Sequence, residues 1–138
     1  MSPRRVLSLW GPVALYAAAL FAASARSQLP AFVELFWDKL VHASAWAALA
    51  LLALRATHGG KAPLRWGATI GAAALSLTYG LTDEIHQSFV PGRDSSLLDI
   101  LADGVGTAAA IGAVAAWQAL TRHRAKTSLT PPEAGAGG

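Results

Sequence analysis

Apolar residues in this chain are gathered into four long blocks, separated by short polar or glycine-rich segments. The blocks cover residues 6–25, 39–56, 64–87 and 97–120. Each block is long enough for an α-helix, rising about 1.5 Å per residue, to cross a hydrocarbon core about 30 Å thick. Helices of soluble proteins rarely run so long without an exposed polar stripe. The pattern predicts an all-α fold, a polytopic helical membrane bundle of about four transmembrane helices.

Turn-forming residues mark the ends of the blocks. Gly59-Gly60 follows the second block, and Pro63 precedes the third, where its missing backbone N–H costs nothing. The segment 90–93, Val-Pro-Gly-Arg, predicts a tight turn, because proline fits the second position and glycine supplies the positive φ of a type II turn. Ser96 is then expected to cap the fourth helix.

The first block and the tail need separate interpretation. The sequence Ala-Ser-Ala at 23–25 resembles a signal-peptidase site, so cleavage is one alternative. The block is longer than the 7 to 15 apolar residues typical of a signal peptide, which favours a retained span. We therefore expect one transmembrane domain over residues 1–121. Residues 122–138 turn basic and then rich in Pro, Gly and Ala, which predicts a disordered tail.

Basic residues are distributed unequally between the two sides of the predicted bundle. Eight of the eleven lysines and arginines lie at the N-terminus, at or between the facing ends of blocks two and three, or after block four. Only Arg26, Lys39 and Arg93 lie on the opposite side. Because cytoplasmic loops retain positive charge, we expect a multi-pass protein of a bacterial cytoplasmic membrane with both termini in the cytoplasm.

Composition removes several classes of function. Apolar residues make up 54% of the chain and charged residues 14%, which agrees with a membrane protein and not with a small soluble domain. The basic residues flank apolar blocks instead of forming a soluble basic patch, so nucleic acid is not an expected partner. Cysteine is absent, which excludes disulfides and thiolate chemistry. No cofactor and no metal ligand set is predicted.

Acidic residues are concentrated on the side that carries few basic ones. Seven of the eight lie at or near the predicted outer side: Glu34, Asp38, Asp83, Glu84, Asp94, Asp99 and Asp103. Polar residues also recur in pairs one helical turn apart. The pairs are Asp38 with His42, Asp83 with Gln87, and Asp99 with Asp103. Since the three helices alternate in direction, the pairs lie at similar depth, which predicts a polar pocket just below the outer surface.

Acid/base chemistry is one interpretation of this pocket. His42, Asp83 and Glu84 are the candidate catalytic residues, with Asp83 and His42 sharing a proton and Glu84 paired with Arg93. The candidate binding residues are Asp38, Lys39, Tyr79, Gln87, Arg93, Asp99 and Asp103. A purely structural interpretation remains open, because Asp38 can cap its helix and Asp99 can complete a capping box with Ser96.

At these residues the chain resembles the VanZ-like family of small bacterial membrane proteins, named for an accessory protein of teicoplanin resistance. The resemblance is carried by residues 38–42 (DKLVH), 79–93 (YGLTDEIHQSFVPGR) and 99–106 (DILADGVG). Two positions depart from the family pattern, which favours tyrosine at Trp46 and asparagine at Asp103.

The resemblance implies a cell-envelope protein that lowers sensitivity to glycopeptide antibiotics such as teicoplanin. We expect the outer pocket to bind a lipid-linked or cell-wall ligand, with the lipid bilayer as its surroundings. Two alternatives stay open: a membrane-embedded acid/base enzyme acting on such a substrate, and a proton or divalent-ion site.

Overall fold

In the computed structural model, the described residues are 1–25, 37–61, 63–91 and 96–128. They form four α-helices and no strand, in the order Pro3–Ser24 (α1), Trp37–Thr57 (α2), Trp66–Gln87 (α3) and Leu97–Ser128 (α4). The prediction of an all-α bundle with four long helices is confirmed. The segments 26–36, 62, 92–95 and 129–138 lie outside the described residues.

The helices begin and end close to the predicted positions, with one difference at the C-terminal end. The helix α4 continues to Ser128, past the predicted end at 120, so the first part of the predicted tail is helical. Arg122 and Arg124 occupy this extension. Arginine is a good helix former, and its charge interacts favourably with the negative end of the helix dipole.

Three helices are long and apolar enough to cross a membrane: Pro3–Ser24, Asp38–Thr57 and Leu97–Ala125. The helix α3 has a similar length of 22 residues but carries more polar side chains. Those side chains are buried against the other helices; they include Thr69, Ser76, Asp83, Glu84 and Gln87. Polar groups inside a membrane protein typically face the bundle interior, so their burial is compatible with α3 as a central span.

A close backbone contact joins α2 and α4 at a glycine. A Cβ added at Gly106 would lie 1.9 Å from the backbone oxygen of Ala43, a distance that no side chain can occupy. Small residues permit this approach, which adds dispersion and Cα–H···O contacts between helices in lipid. Gly67 and Gly71 of α3 form a GxxxG pair, a sequence pattern typical of close helix packing in membranes. This pair makes no comparable contact: nothing lies within 4 Å of the added Cβ at Gly67.

The helix α1 is held against the bundle at both ends. In the N-terminal half of α1, the Ser8 carbonyl accepts from the Arg55 guanidinium at 2.9 Å. In its C-terminal half, the Ala17 carbonyl accepts from the Tyr79 hydroxyl. Leu9 and Leu49 belong to the apolar cluster between these contacts. The first helix is thus packed against α2 and α3.

Candidate functional site

Polar side chains from α2, α3 and α4 converge at one end of the bundle. The first turns of α2 and α4 and the last turns of α3 meet there, because these helices alternate in direction. Six of the polar residues are buried to 94% or more: His42, Asp83, Glu84, Gln87, Asp99 and Asp103. Asp38 and Lys39 complete the group, which we name the polar cluster.

His42 and Asp103 form the centre of the polar cluster. His42 Nδ1 lies 3.0 Å from Asp103 Oδ1, and Asp103 is only 1% exposed. Trp46 stacks on the His42 ring, with ring centroids 5.5 Å apart. The Trp46 indole N–H donates to the Ser76 carbonyl at 3.2 Å, which fixes the ring that supports His42.

The α3 carboxylates have separate partners. The Gln87 amide donates to Asp83 Oδ2 at 2.7 Å, one turn along the same helix. Glu84 Oε2 accepts from the Ser96 backbone N–H at 2.8 Å and so joins the end of α3 to the start of α4. Ser96 in turn caps α4, because its hydroxyl accepts from the Leu98 N–H at 3.2 Å.

Lys39 supplies a cation at the edge of the polar cluster. Its ammonium donates to Asp38 at 3.2 Å and forms an ion pair with Asp99. Asp38, His42 and Asp99 also offer three ligand atoms within 4.8 Å of one another, a spacing that a metal ion could use. The ammonium of Lys39 already neutralises two of these three residues, so the geometry equally fits an ion-paired network.

A small cavity lies beside the polar cluster, between α1, α2 and α3. Its volume is about 140 Å³. Asp38, His42, Asp83 and Gln87 form its polar wall, and Leu20 and Ala23 of α1 are among its apolar residues. A group that entered this space would therefore meet the imidazole and carboxylates directly.

Three buried carboxylate oxygens have no hydrogen-bond partner within the described part of the chain. They are Asp83 Oδ1, Glu84 Oε1 and Asp103 Oδ2. An unsatisfied polar atom of this kind costs about 1–3 kcal/mol when buried, and more when charged. Native proteins tolerate such a cost chiefly where the group binds a ligand, a water or a proton.

The detailed pairing differs from the sequence-based hypothesis. His42 is paired with Asp103 and not with Asp83, because Asp103 projects from the neighbouring α4 directly opposite the imidazole. Tyr79 uses its hydroxyl to bridge α3 and α1, so it holds the bundle together and its ring packs at 6.3 Å from Trp46. Arg93, the proposed partner of Glu84, lies outside the described residues, as do Glu34 and Asp94.

Sequence reasoning missed a second polar layer deeper in the bundle. The Ser76 and Thr107 hydroxyls are 2.9 Å apart and buried. Thr107 continues the four-residue spacing of Asp99 and Asp103 along α4, which is the signal that could have revealed it. A Cβ added at Gly80 would lie 2.7 Å from Trp46 Nε1 and 2.8 Å from Asp103 Oδ2, so only glycine admits both side chains.

A helical bundle of this length and polarity, with carboxylates and a histidine buried between its helices, defines a multi-pass membrane protein with an internal polar site. The family model described as VanZ/LLP1 matches residues 7–118, which covers parts of all four helices. The chain belongs to the VanZ/LLP1 family, and the resemblance seen in the sequence is confirmed. No protein of curated function and no solved structure matches the chain.

Proposed function

We propose that this protein acts in the cell envelope by binding a lipid-linked or cell-wall group at the polar cluster, and that this binding lowers sensitivity to teicoplanin. The observation that carries the proposal is the set of buried oxygens on Asp83, Glu84 and Asp103 that have no partner among the described residues. Asp83 lines the cavity, and Asp103 is hydrogen-bonded to His42, whose imidazole also lines the cavity. These oxygens can accept hydrogen bonds from a ligand.

The chemistry of the cavity specifies the kind of ligand. Carboxylates outnumber cations among the described residues of the polar cluster, where Asp38, Asp83, Glu84, Asp99 and Asp103 face Lys39 and His42. Ligand groups that donate hydrogen bonds or carry positive charge are favoured there. Ammonium and hydroxyl groups of cell-wall precursors and lipid headgroups have this property.

The size of the cavity restricts what enters it. Sites for drug-sized molecules occupy about 300–1,000 Å³. The cavity here, at about 140 Å³, accepts one small group and excludes a whole glycopeptide. We therefore place the effect on teicoplanin sensitivity at the level of a precursor or lipid, and not at binding of the antibiotic itself.

A membrane-embedded acid/base enzyme is the second candidate function, favoured by the His42–Asp103 pair. A carboxylate that accepts from Nδ1 orients the imidazole and leaves Nε2 for a substrate proton. Glu84 and Asp83 would then hold or orient the substrate. A comparison of lipids and cell-wall precursors in cells with and without the protein distinguishes the two candidates, because only an enzyme changes their covalent structure.

The functional test compares variants whose amounts in the membrane are matched. We expect His42→Ala and Asp83→Asn to abolish the gain in teicoplanin resistance that the wild-type protein confers on a susceptible host. Asparagine retains the oxygen that accepts from Gln87 but loses the charge. The measurement is the minimal inhibitory concentration, with the amount of protein in the membrane matched by immunoblot.

The matched control for this test is His123→Ala, since His123 is an exposed histidine of α4 far along the helix from the polar cluster. It should leave the inhibitory concentration at the wild-type value. Full resistance from Asp83→Asn protein at normal abundance would remove Asp83 from the mechanism and favour a structural role for the cluster.

The orientation is part of the proposal, with the polar cluster on the outer side and both termini in the cytoplasm. It is supported by the eight-to-three distribution of basic residues. A reporter that is active only in the cytoplasm should be active when fused after Lys126. Activity there of a reporter that works only outside the cytoplasm would reverse the orientation and move the polar cluster to the inner side.

A further inference from the structure

A second cavity lies at the opposite end of the bundle from the polar cluster and is lined by basic residues. Its volume is about 410 Å³. Arg5 of α1, Lys61 of the α2–α3 connection and Arg65 before α3 face it. None of the described residues that line it is acidic, so its electrostatic character is opposite to that of the polar cluster.

The three basic side chains have most of their hydrogen-bond donors available for a ligand. One Arg5 nitrogen donates to the Gly59 carbonyl at 3.2 Å, which holds the guanidinium over the connection and leaves its other donors available. Within the described part of the chain, the ion pairs involve Lys39 and His42 alone. Arg5, Lys61 and Arg65 are therefore not neutralised by any described carboxylate.

The start of α3 lies beside the same cavity. Arg65 is the N-cap residue of α3, and no side chain caps this helix. The first amide groups of a helix lack acceptors within it and carry partial positive charge. The Arg65 N–H itself donates to His58 Nε2 at 2.9 Å, which fixes the start of the helix beside the cavity.

A cavity of about 300 Å³ with both polar and apolar walls adjoins the basic one and shares His58 and Lys61 with it. Its apolar wall includes Leu51, Leu64 and Val114. The pair of cavities thus presents cationic donors next to aliphatic side chains. This is the complement of an anionic headgroup followed by an acyl chain.

If these basic residues served only to orient the protein in the membrane, they would not have to line a cavity or to lie next to apolar side chains. We propose that this end of the bundle binds an anionic phospholipid, with its phosphate between Arg5, Lys61 and Arg65 and part of an acyl chain along Leu51 and Val114. The site is separate from the polar cluster and does not depend on the function proposed for it. Anionic lipids of the cytoplasmic leaflet are the source that the orientation proposed above makes available.

The test is thermal stability of the purified full chain in detergent, titrated with phosphatidylglycerol. We expect the wild-type melting temperature to rise with the lipid, while the same amount of phosphatidylcholine has little effect. In Lys61→Gln/Arg65→Gln protein, the apparent affinity should fall roughly 30-fold, given the usual contribution of each basic residue near an anionic surface. Both side chains are exposed, so the folded protein should tolerate the changes.

The control is Arg122→Gln/Arg124→Gln, which removes the same charge from exposed positions on α4 and should bind like the wild type. An equal loss in the control would overturn the proposal in favour of nonspecific attraction. Protection by inorganic phosphate or glycerol phosphate equal to that by the lipid would assign the site to free phosphate. Equal protection by phosphatidylcholine, or none by phosphatidylglycerol, would likewise contradict the proposal.

Discussion

Gly106→Ala protein is expected to reach the membrane in much smaller amounts than wild type and to lose its folded structure at a lower temperature. The added Cβ would lie 1.9 Å from the Ala43 carbonyl oxygen and 2.8 Å from the Ala43 Cα. These are backbone atoms, which cannot rotate away as a side chain can. The cost should reach or exceed the upper end of the range for overpacked interiors, about 3 kcal/mol.

Two glycines of the same helix serve as controls. A Cβ at Gly112 meets nothing within 4 Å, and one at Gly104 meets only Leu77 Cδ2 at 3.9 Å. Alanine has the higher helix propensity by about 1 kcal/mol, so both control proteins should be at least as stable as wild type. Fluorescence-detected size exclusion after heating measures all three variants. A Gly106→Ala protein as stable as Gly112→Ala would show that α2 and α4 are farther apart than described.

Asp103→Leu is expected to destabilise the bundle by about 3–5 kcal/mol, the usual cost of removing one partner of a buried pair. It leaves His42 Nδ1, now 3.0 Å from Asp103 Oδ1, without an acceptor in a buried position. His42→Leu should be similarly harmful. The double variant should lose less stability than the sum of the two single losses, because neither buried polar group then remains without its partner.

Asp103→Asn is the isosteric control for this cycle. Its amide oxygen can accept from His42 in place of the carboxylate, and asparagine is the residue that the family pattern favours at this position. We expect near wild-type stability in the same heating measurement. Additive effects of the two leucine substitutions would contradict direct coupling between His42 and Asp103, and equal damage from asparagine and leucine would assign the effect to charge.

Helix number and the depth of the polar residues were accessible from sequence because both follow from simple periodicities. Blocks of about 20 apolar residues specify spans, and i, i+4 spacing places Asp99 beside Asp103 on one helical face. These rules act within one helix. They do not predict how one helix is rotated about its axis relative to another. The sequence therefore predicts a partner for His42 on α3, whereas in the structure its partner, Asp103, lies on α4.

The packing glycines show the same limit. Gly67 and Gly71 form the motif that sequence favours, but the close contact occurs at Gly106, and Gly80 makes room for Trp46 and Asp103. The two departures from the family pattern, Trp46 and Asp103, thus meet at one glycine. The sequence does not predict this contact, because the three residues come from three different helices.

The polar cluster, like the contact between Gly106 and Ala43, joins residues that are far apart in the order of synthesis. During synthesis α2 enters the membrane long before α4, and residue 106 is made 63 positions after residue 43. Until then His42 lacks Asp103, Glu84 lacks the Ser96 amide, and Asp99 is not present to pair with Lys39. A chain that stopped after α3 would therefore leave His42, Glu84 and Lys39 without the Asp103, Ser96 and Asp99 partners that they have in the complete bundle.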